Sequence, residues 1–299
     1  MKLSTSTNLI AFRPDWVSYI PILDSMKQLK QAGFDAVDLN LSDAGKGFYR
    51  LGDPDWKEWM EQVVSLSREL ELPITQTHAP FYNALEPESP KAELWEAMID
   101  RAITASGMCG HPWIVMHPGT YPDDAPDLHE SRRKNYEYFL PWLEKAAKCG
   151  CGIAIENMAD DERHTHRRPG HIYGTTATEL CELVDSFHTD NVGICWDFGH
   201  ANLMGTDQRE ALRVMGKRLK ATHVADNSGM RDDHILPFQG MVDWRKILPV
   251  LSEIQYEGDL TYEIHSSTSR LPDELVYETA VLCEHVGRYL LDLALGKKG

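Results

Sequence analysis

Short apolar runs alternate along the whole chain with longer segments whose apolar residues recur every three or four positions. The first pattern predicts buried strands and the second amphipathic helices. Strands are expected at Lys2–Ser6, Ala36–Leu39, Ile74–His78, Trp113–His117, Gly152–Glu156, Val192–Asp197, Leu219–Val224 and Asp259–Glu263. Helices are expected at Tyr19–Ala32, Trp56–Leu70, Pro90–Met108, Glu130–Lys148, Thr178–Phe187, Gln208–Gly216, Trp244–Ile254 and Asp273–Leu295. Strands that alternate with helices imply a parallel sheet, because each crossover needs a helix. Eight such units without a linker predict one α/β domain over residues 1–299, closed as a single (β/α)8 TIM barrel. No G-x-G-x-x-G follows the first strand, which argues against an open dinucleotide-binding sheet.

Polar residues close six consecutive strands. They are His78 in T-H-A-P, His117 in M-H-P-G, Glu156 in A-I-E-N, Asp197 in C-W-D-F-G-H, His223 in T-H-V-A-D and Glu263 in T-Y-E-I-H. They recur once per β/α unit at similar intervals, with a shorter step from Asp197 to His223. In a barrel this places all six at the C-terminal mouth, where such folds build their sites. Asp197 ends the apolar run Val192–Trp196; Gly199 and His200 follow, then an expected helix. Strand alternation sends Trp196 the other way, into the layer between barrel and helices. Asp232 and His234 form D-x-H in the loop after the seventh strand.

Any one of these residues has a plain structural reading: a helix cap for Asp197, or a hydrogen-bonded core imidazole for each His. Six in succession do not. Carboxylates and imidazoles crowded into one mouth are costly without cations, so the set predicts a metal site. Zinc or manganese suits these oxygen and imidazole ligands, and the lack of thiolate among them argues against structural zinc. One divalent ion would leave the four carboxylates in negative excess, suiting a neutral sugar or polyol. Three would reverse the sign and attract phosphate. The expected stoichiometry is therefore one to three ions per chain.

Composition narrows the partners. The net charge is −16, from 46 acidic and 30 basic residues. That opposes general nucleic-acid binding, which needs a basic footprint. No apolar run is long enough to span a membrane, and the N-terminus lacks a signal-peptide pattern, so a cytoplasmic protein is expected. The six cysteines show no C-x-x-C and are expected to be reduced. A homo-oligomer is compatible with the sequence, with no interface legible in it.

With these motifs the chain resembles the xylose isomerase-like barrel superfamily over nearly its whole length. That group includes sugar isomerases and epimerases and the endonuclease IV branch. The resemblance to the first group implies one ion on Glu156, Asp197, His223 and Glu263. The two glutamates would handle the substrate proton, and His200 would contact a substrate oxygen. The resemblance to the second implies three zinc ions. His78 and His117 would hold one with Glu156 bridging; Asp197, His223 and Glu263 would hold the next; His200, Asp232 and His234 would hold the third. The stretch DDHILPFQGMVDW, with D-x-H then P-x-x-G and D-W, is similar to sugar-isomerase-like relatives.

The expected function is a divalent-metal-dependent isomerase or epimerase of a small carbohydrate or polyol, with Glu156, Glu263 and His200 as catalytic residues. An endonuclease IV-like trinuclear zinc phosphodiesterase is the alternative, as is a sugar lyase or dehydratase on the same site; a non-catalytic binding barrel is a further class. The loop DDERHTHRRPGH, residues 160–171, follows Glu156 directly. Its Arg163, Arg167 and Arg168, with His164, His166 and His171, form either a lid that grips substrate or a solvated surface loop. Trp16, Phe81 and Tyr121 lie in other loops of the same face and are candidates for an apolar wall against a sugar ring.

Overall fold

The computed structural model describes residues 1–13, 19–41, 50–86, 92–121, 126–160 and 171–297. Eight strands follow one another in space: β1 (Leu3–Ser6), β2 (Ala36–Asn40), β3 (Ile74–His78), β4 (Trp113–Met116), β5 (Gly152–Glu156), β6 (Val192–Asp197), β7 (Leu219–His223) and β8 (Leu260–Tyr262). All pair in parallel, in the order β7-β6-β5-β4-β3-β2-β1-β8. The free edges meet just beyond β7. Val224 N–H donates to the Thr261 carbonyl at 2.7 Å and Glu263 N–H to the Val224 carbonyl at 3.2 Å. The sheet is a TIM barrel, as the alternation predicts.

Strand alternation divides the side chains into two sets. Ile114, Met116, Ile153, Ile155, Ile194 and Trp196 face outward into the large core under the helices. The Trp196 indole N–H donates to Gln208 Oε1 at 3.3 Å, in the helix Gln208–Met215, which places Trp196 in the expected layer. Val115, Ala154, Cys195 and Ala221 form a separate small cluster inside the barrel. The residue two positions further along each strand shares that inward face. Those residues are His117, Glu156, Asp197 and His223. A small apolar layer thus plugs the barrel, and a polar layer sits on it at the mouth.

The helices depart from the expected bounds where local chemistry intervenes. The stretch expected as one helix over Trp244–Ile254 is two, Trp244–Ile247 and Pro249–Glu253. Pro249 has no N–H and serves as the first residue of the second helix. The helix after β4 starts at Leu128, before the expected Glu130, because Asp127 caps it by accepting from Glu130 N–H. A short helix, Asn8–Ala11, precedes Ile22–Ala32 where one helix from Tyr19 is expected. His200 lies inside the helix Phe198–Leu203 rather than ahead of it. All six cysteines are free thiols. Among the described residues, no helix is long and apolar enough to cross a membrane.

Candidate metal centre at the barrel mouth

Glu156 stands at the centre of the mouth. Its side chain is fully buried. Its Oε1 lies 2.7 Å from His223 Nδ1. Its Oε2 lies 2.9 Å from His117 Nε2 and 3.4 Å from His78 Nε2. Yet Oε2 accepts no hydrogen bond. Three imidazoles therefore crowd one carboxylate without saturating it. The rings of His78 and His223 are stacked at 5.4 Å, and those of His78 and His117 are tilted at 5.0 Å. His78 is oriented from behind, its Nδ1 donating to the Ala79 carbonyl at 2.7 Å.

Asp197 pairs in register with His223 on the next strand. Its Oδ1 caps the helix Phe198–Leu203 by accepting the His200 N–H at 2.6 Å. Its Oδ2 is buried with no partner. Glu263, the residue directly after β8, brings Oε2 to 3.4 Å from His223 Nδ1. One ligand atom each from Glu156, Asp197, His223 and Glu263 fits within 4.8 Å of the others, as does one each from His78, Glu156 and His223.

A second group lies beside the first. His200 turns its Nδ1 to donate to the Asn157 carbonyl at 2.8 Å, leaving Nε2 3.4 Å from Asp232 Oδ2. Asp232 Oδ2 is also 2.7 Å from His234 Nε2, and the other ring nitrogen of His234 donates to the Glu263 carbonyl at 3.0 Å. His200, Asp232 and His234 likewise place ligand atoms within 4.8 Å of one another. Asp232 Oδ1 is buried and unpartnered.

The electrostatics reflect this crowding. Burial, reinforced by Glu156, Glu263 and Asp232 and opposed by His200, pushes the Asp197 carboxyl up to about 6. Burial also works against charge on Glu156, but the imidazoles of His223 and His117 outweigh it and hold this carboxyl well below its ordinary range. For His234 burial disfavours the imidazolium, and Asp232 and Glu263 reverse that, raising it to about 10. The protons that a cation would replace are thus held in place by neighbouring carboxylates. Buried carboxylate oxygens on Glu156, Asp197 and Asp232 that accept nothing, set among convergent imidazoles, fit a divalent cation. The Cys195 thiol, in the layer beneath, is pushed up to about 12 by burial, so thiolate does not compete.

All nine residues singled out as ligands from the sequence meet in the mouth. The substrate-facing expectations fare unevenly. Phe81 is exposed and sets its ring edge-on to His117 at 4.6 Å. Tyr121 lies under the Lys134 ammonium at 4.3 Å. His171 is drawn to the helix Ala177–Ser186, its Nε2 3.0 Å from Glu179 Oε1. Trp16, Arg163, His164, His166, Arg167 and Arg168 lie outside the described residues.

Two supporting residues escape a scan of strand ends. Asp38, inside β2, brings Oδ2 to 3.3 Å from His223 Nε2, and Gln76 Nε2 lies 2.9 Å from the same nitrogen. Both are polar at inward positions below the strand end, and that parity is the signal that finds them. His265, two residues past Glu263, lays its ring on His234 at 4.5 Å.

Fold and site together define a parallel β/α barrel whose mouth gathers carboxylates and imidazoles close enough that they could hold a divalent cation. The profile of the xylose isomerase-like TIM barrel matches residues 26–284, and the chain belongs to that family. An uncharacterized protein of Sinorhizobium fredii is 25% identical over 285 residues, covering 87% of this chain and 86% of its own. One from Methanocaldococcus jannaschii is 27% identical over 269 residues, covering 88% and 83%. A probable endonuclease 4 of Methanoculleus marisnigri is 26% identical over 167 residues, covering 51% and 55%. Among solved structures, a D-tagatose 3-epimerase-like protein superposes with a TM-score of 0.75 at 22% identity, covering 99% of each chain. A D-psicose 3-epimerase solved in the presence of D-fructose also gives 0.75, at 15% identity, covering 97% of this chain and 99% of its own.

Proposed function

We propose that this protein is a divalent-metal-dependent isomerase or epimerase of a small carbohydrate or polyol. The observation that carries the reading is the meeting of Glu156 and Glu263, from separate walls of the barrel, at one imidazole nitrogen, His223 Nδ1, with Asp197 beside them. Two carboxylates around one small space suit removal of a proton from one face of a carbon and its return to the other. Glu156, Asp197, His223 and Glu263 would hold zinc or manganese, which supplies a Lewis acid for the substrate carbonyl and hydroxyl oxygens.

One glutamate takes the proton from the carbon next to the carbonyl, leaving an enediolate. The other delivers a proton to the opposite face. The product is the epimer, with no atom gained or lost. Both glutamates are held below their ordinary range, Glu263 by His223 and His234 against the effect of burial, so either can accept the substrate proton. The one that delivers a proton first takes it from solvent, and the one that accepted releases its own to solvent afterwards. His200 would contact a substrate oxygen through Nε2. Phe81 offers an apolar edge at the rim. The superposition with 3-epimerases of ketohexoses makes a ketose the first substrate to try.

A phosphodiesterase is the second reading, favoured by one observation. His78 and His117 on Glu156, and the group His200–Asp232–His234, give the mouth more ligands than a mononuclear centre uses. The net charge of −16 weighs against a nucleic-acid substrate.

The test uses protein stripped by chelator and reloaded separately with manganese and zinc. D-tagatose and D-psicose are incubated with it in D2O. The reading expects an epimer carrying solvent deuterium at the inverted carbon, and loss of exchange on stripping. Absence of exchange into every ketose tried, together with cleavage of an abasic-site duplex, would establish the second reading instead.

A further inference from the structure

The loop from Asp226 to Trp244 carries Asp232 and His234, and it is folded around one carboxylate. Asp226 is fully buried. Its Oδ1 accepts the N–H groups of Asn227 at 2.9 Å and Val242 at 3.0 Å. Its Oδ2 accepts Phe238 N–H and the Trp244 indole N–H, both at 2.9 Å. Its backbone pairs with Ile235 in both directions, directly after His234. A side chain at Gly240 would meet Asp226 Oδ1 at 2.3 Å, so the loop closes on that carboxylate only with glycine there. His234 and Phe238 both sit at positive φ, 47° and 74°, which non-glycine residues adopt only when the surroundings enforce it.

The next residue fastens this loop to the helix that bears His200. Asn227 Nδ2 donates to the Gly199 carbonyl at 2.8 Å, and its Oδ1 accepts from Asn202 Nδ2 at 2.8 Å. Gly199 allows the approach, since a Cβ there would stand 3.1 Å from Asn227 Nδ2.

We propose that Asp226 and Asn227 are positioning residues for the second ligand group, setting Asp232 and His234 against His200 so that the three hold a cation of their own. The inference rests on the metal-dependent reading of the mouth, in the form where more than one ion is bound and His200 Nε2 serves as a ligand rather than as a contact to a substrate oxygen. Asp226 shapes the loop, Asn227 fixes its distance from His200, and neither touches the ion. Loss of such outer partners weakens metal binding by about 10- to 100-fold.

The experiment measures zinc per folded chain after equilibrium dialysis, in wild type, His234→Ala, Asp226→Asn, Asn227→Ala and Glu156→Gln, with circular dichroism as the folding control. The expected result is that Asp226→Asn and Asn227→Ala lose the same ion as His234→Ala and keep the ion that Glu156→Gln loses. Wild-type zinc content and affinity in both positioning variants would overturn the proposal. So would a wild type whose content does not change with His234→Ala, since no ion then occupies the second group. If Asp226→Asn does not fold, Asn227→Ala decides alone, because it leaves every bond to Asp226 Oδ2 in place. Zinc unchanged by Glu156→Gln would instead count against the primary centre, a separate failure.

Discussion

Asp197 divides its two oxygens between two tasks: Oδ1 accepts the backbone N–H of His200 at 2.6 Å, and Oδ2 is buried with no partner. The cap and the candidate ligand are one side chain. The cap turns the chain out of β6 into the helix that carries His200, so the same bond orients a second candidate ligand.

Those two tasks separate by substitution. Asp197→Asn keeps an oxygen for the cap, so the metal-free protein retains its fold and the four-residue centre loses its ion. Asp197→Ala removes both, at a further cost of about 1 kcal/mol from the lost cap. Urea unfolding of the stripped proteins, with zinc content measured alongside, checks both halves.

Burial of Asp197 also sets a pH dependence. Its carboxyl rises from 3.8 to about 6 in the folded, metal-free protein. The folded state holds this proton more tightly than the unfolded chain, so the stability it contributes is present below 3.8 and lost as pH climbs to about 6. Stripped Asp197→Asn should therefore gain on stripped wild type across that window. A difference in midpoint that stays flat with pH would refute the assignment.

Glu156→Gln and Glu263→Gln should each lower solvent deuterium exchange into the ketose by about 10²- to 10⁴-fold, the range for losing a positioned proton carrier. Single-turnover exchange with metal content measured in parallel tells loss of the carrier from loss of the ion. Exchange unaffected by either change would rule out these glutamates as the proton carriers.

Asp38→Asn tests the support behind His223. For His223 Nδ1 to face a cation its Nε2 must carry the proton, and Asp38 Oδ2 is the carboxylate within reach at 3.3 Å. The variant should release zinc to a competing chelator about 10- to 100-fold more readily, with far-UV circular dichroism unchanged.

Phe81→Ala removes an exposed ring, so its effect on stability should stay within about 0.5 kcal/mol. If the ring borders the bound sugar, KM rises several-fold with little change in kcat. Steady-state kinetics on the preferred ketose decides between a substrate wall and a simple cover for His117.

Much of this was legible in the sequence, for physical reasons. A strand repeats every two residues, so an apolar run ending in one polar residue states which face that residue takes. Six such endings, from His78 to Glu263, locate the mouth without coordinates. The helix bounds were less legible, because Pro249 and the Asp127 cap act within a single turn. Asp38 and Gln76 stayed hidden because they sit one inward position below the strand end. Their role depends on β2 and β3 lying across the barrel from His223, a contact between residues 185 and 147 positions apart in the chain.

The sequence by itself determined the alternation of strands and helices, the barrel, and which residues reach its mouth, because these follow from short-range periodicity and the handed βαβ crossover. Only the tertiary structure decided how those residues group. It showed that Glu156 lies among three imidazoles, that Asp232 bridges His200 and His234, and that buried Asp226, three residues past His223, shapes the loop that carries Asp232 and His234. Such groupings depend on the shear of the barrel and the path of its loops. Distant contacts set both, and no local pattern records them.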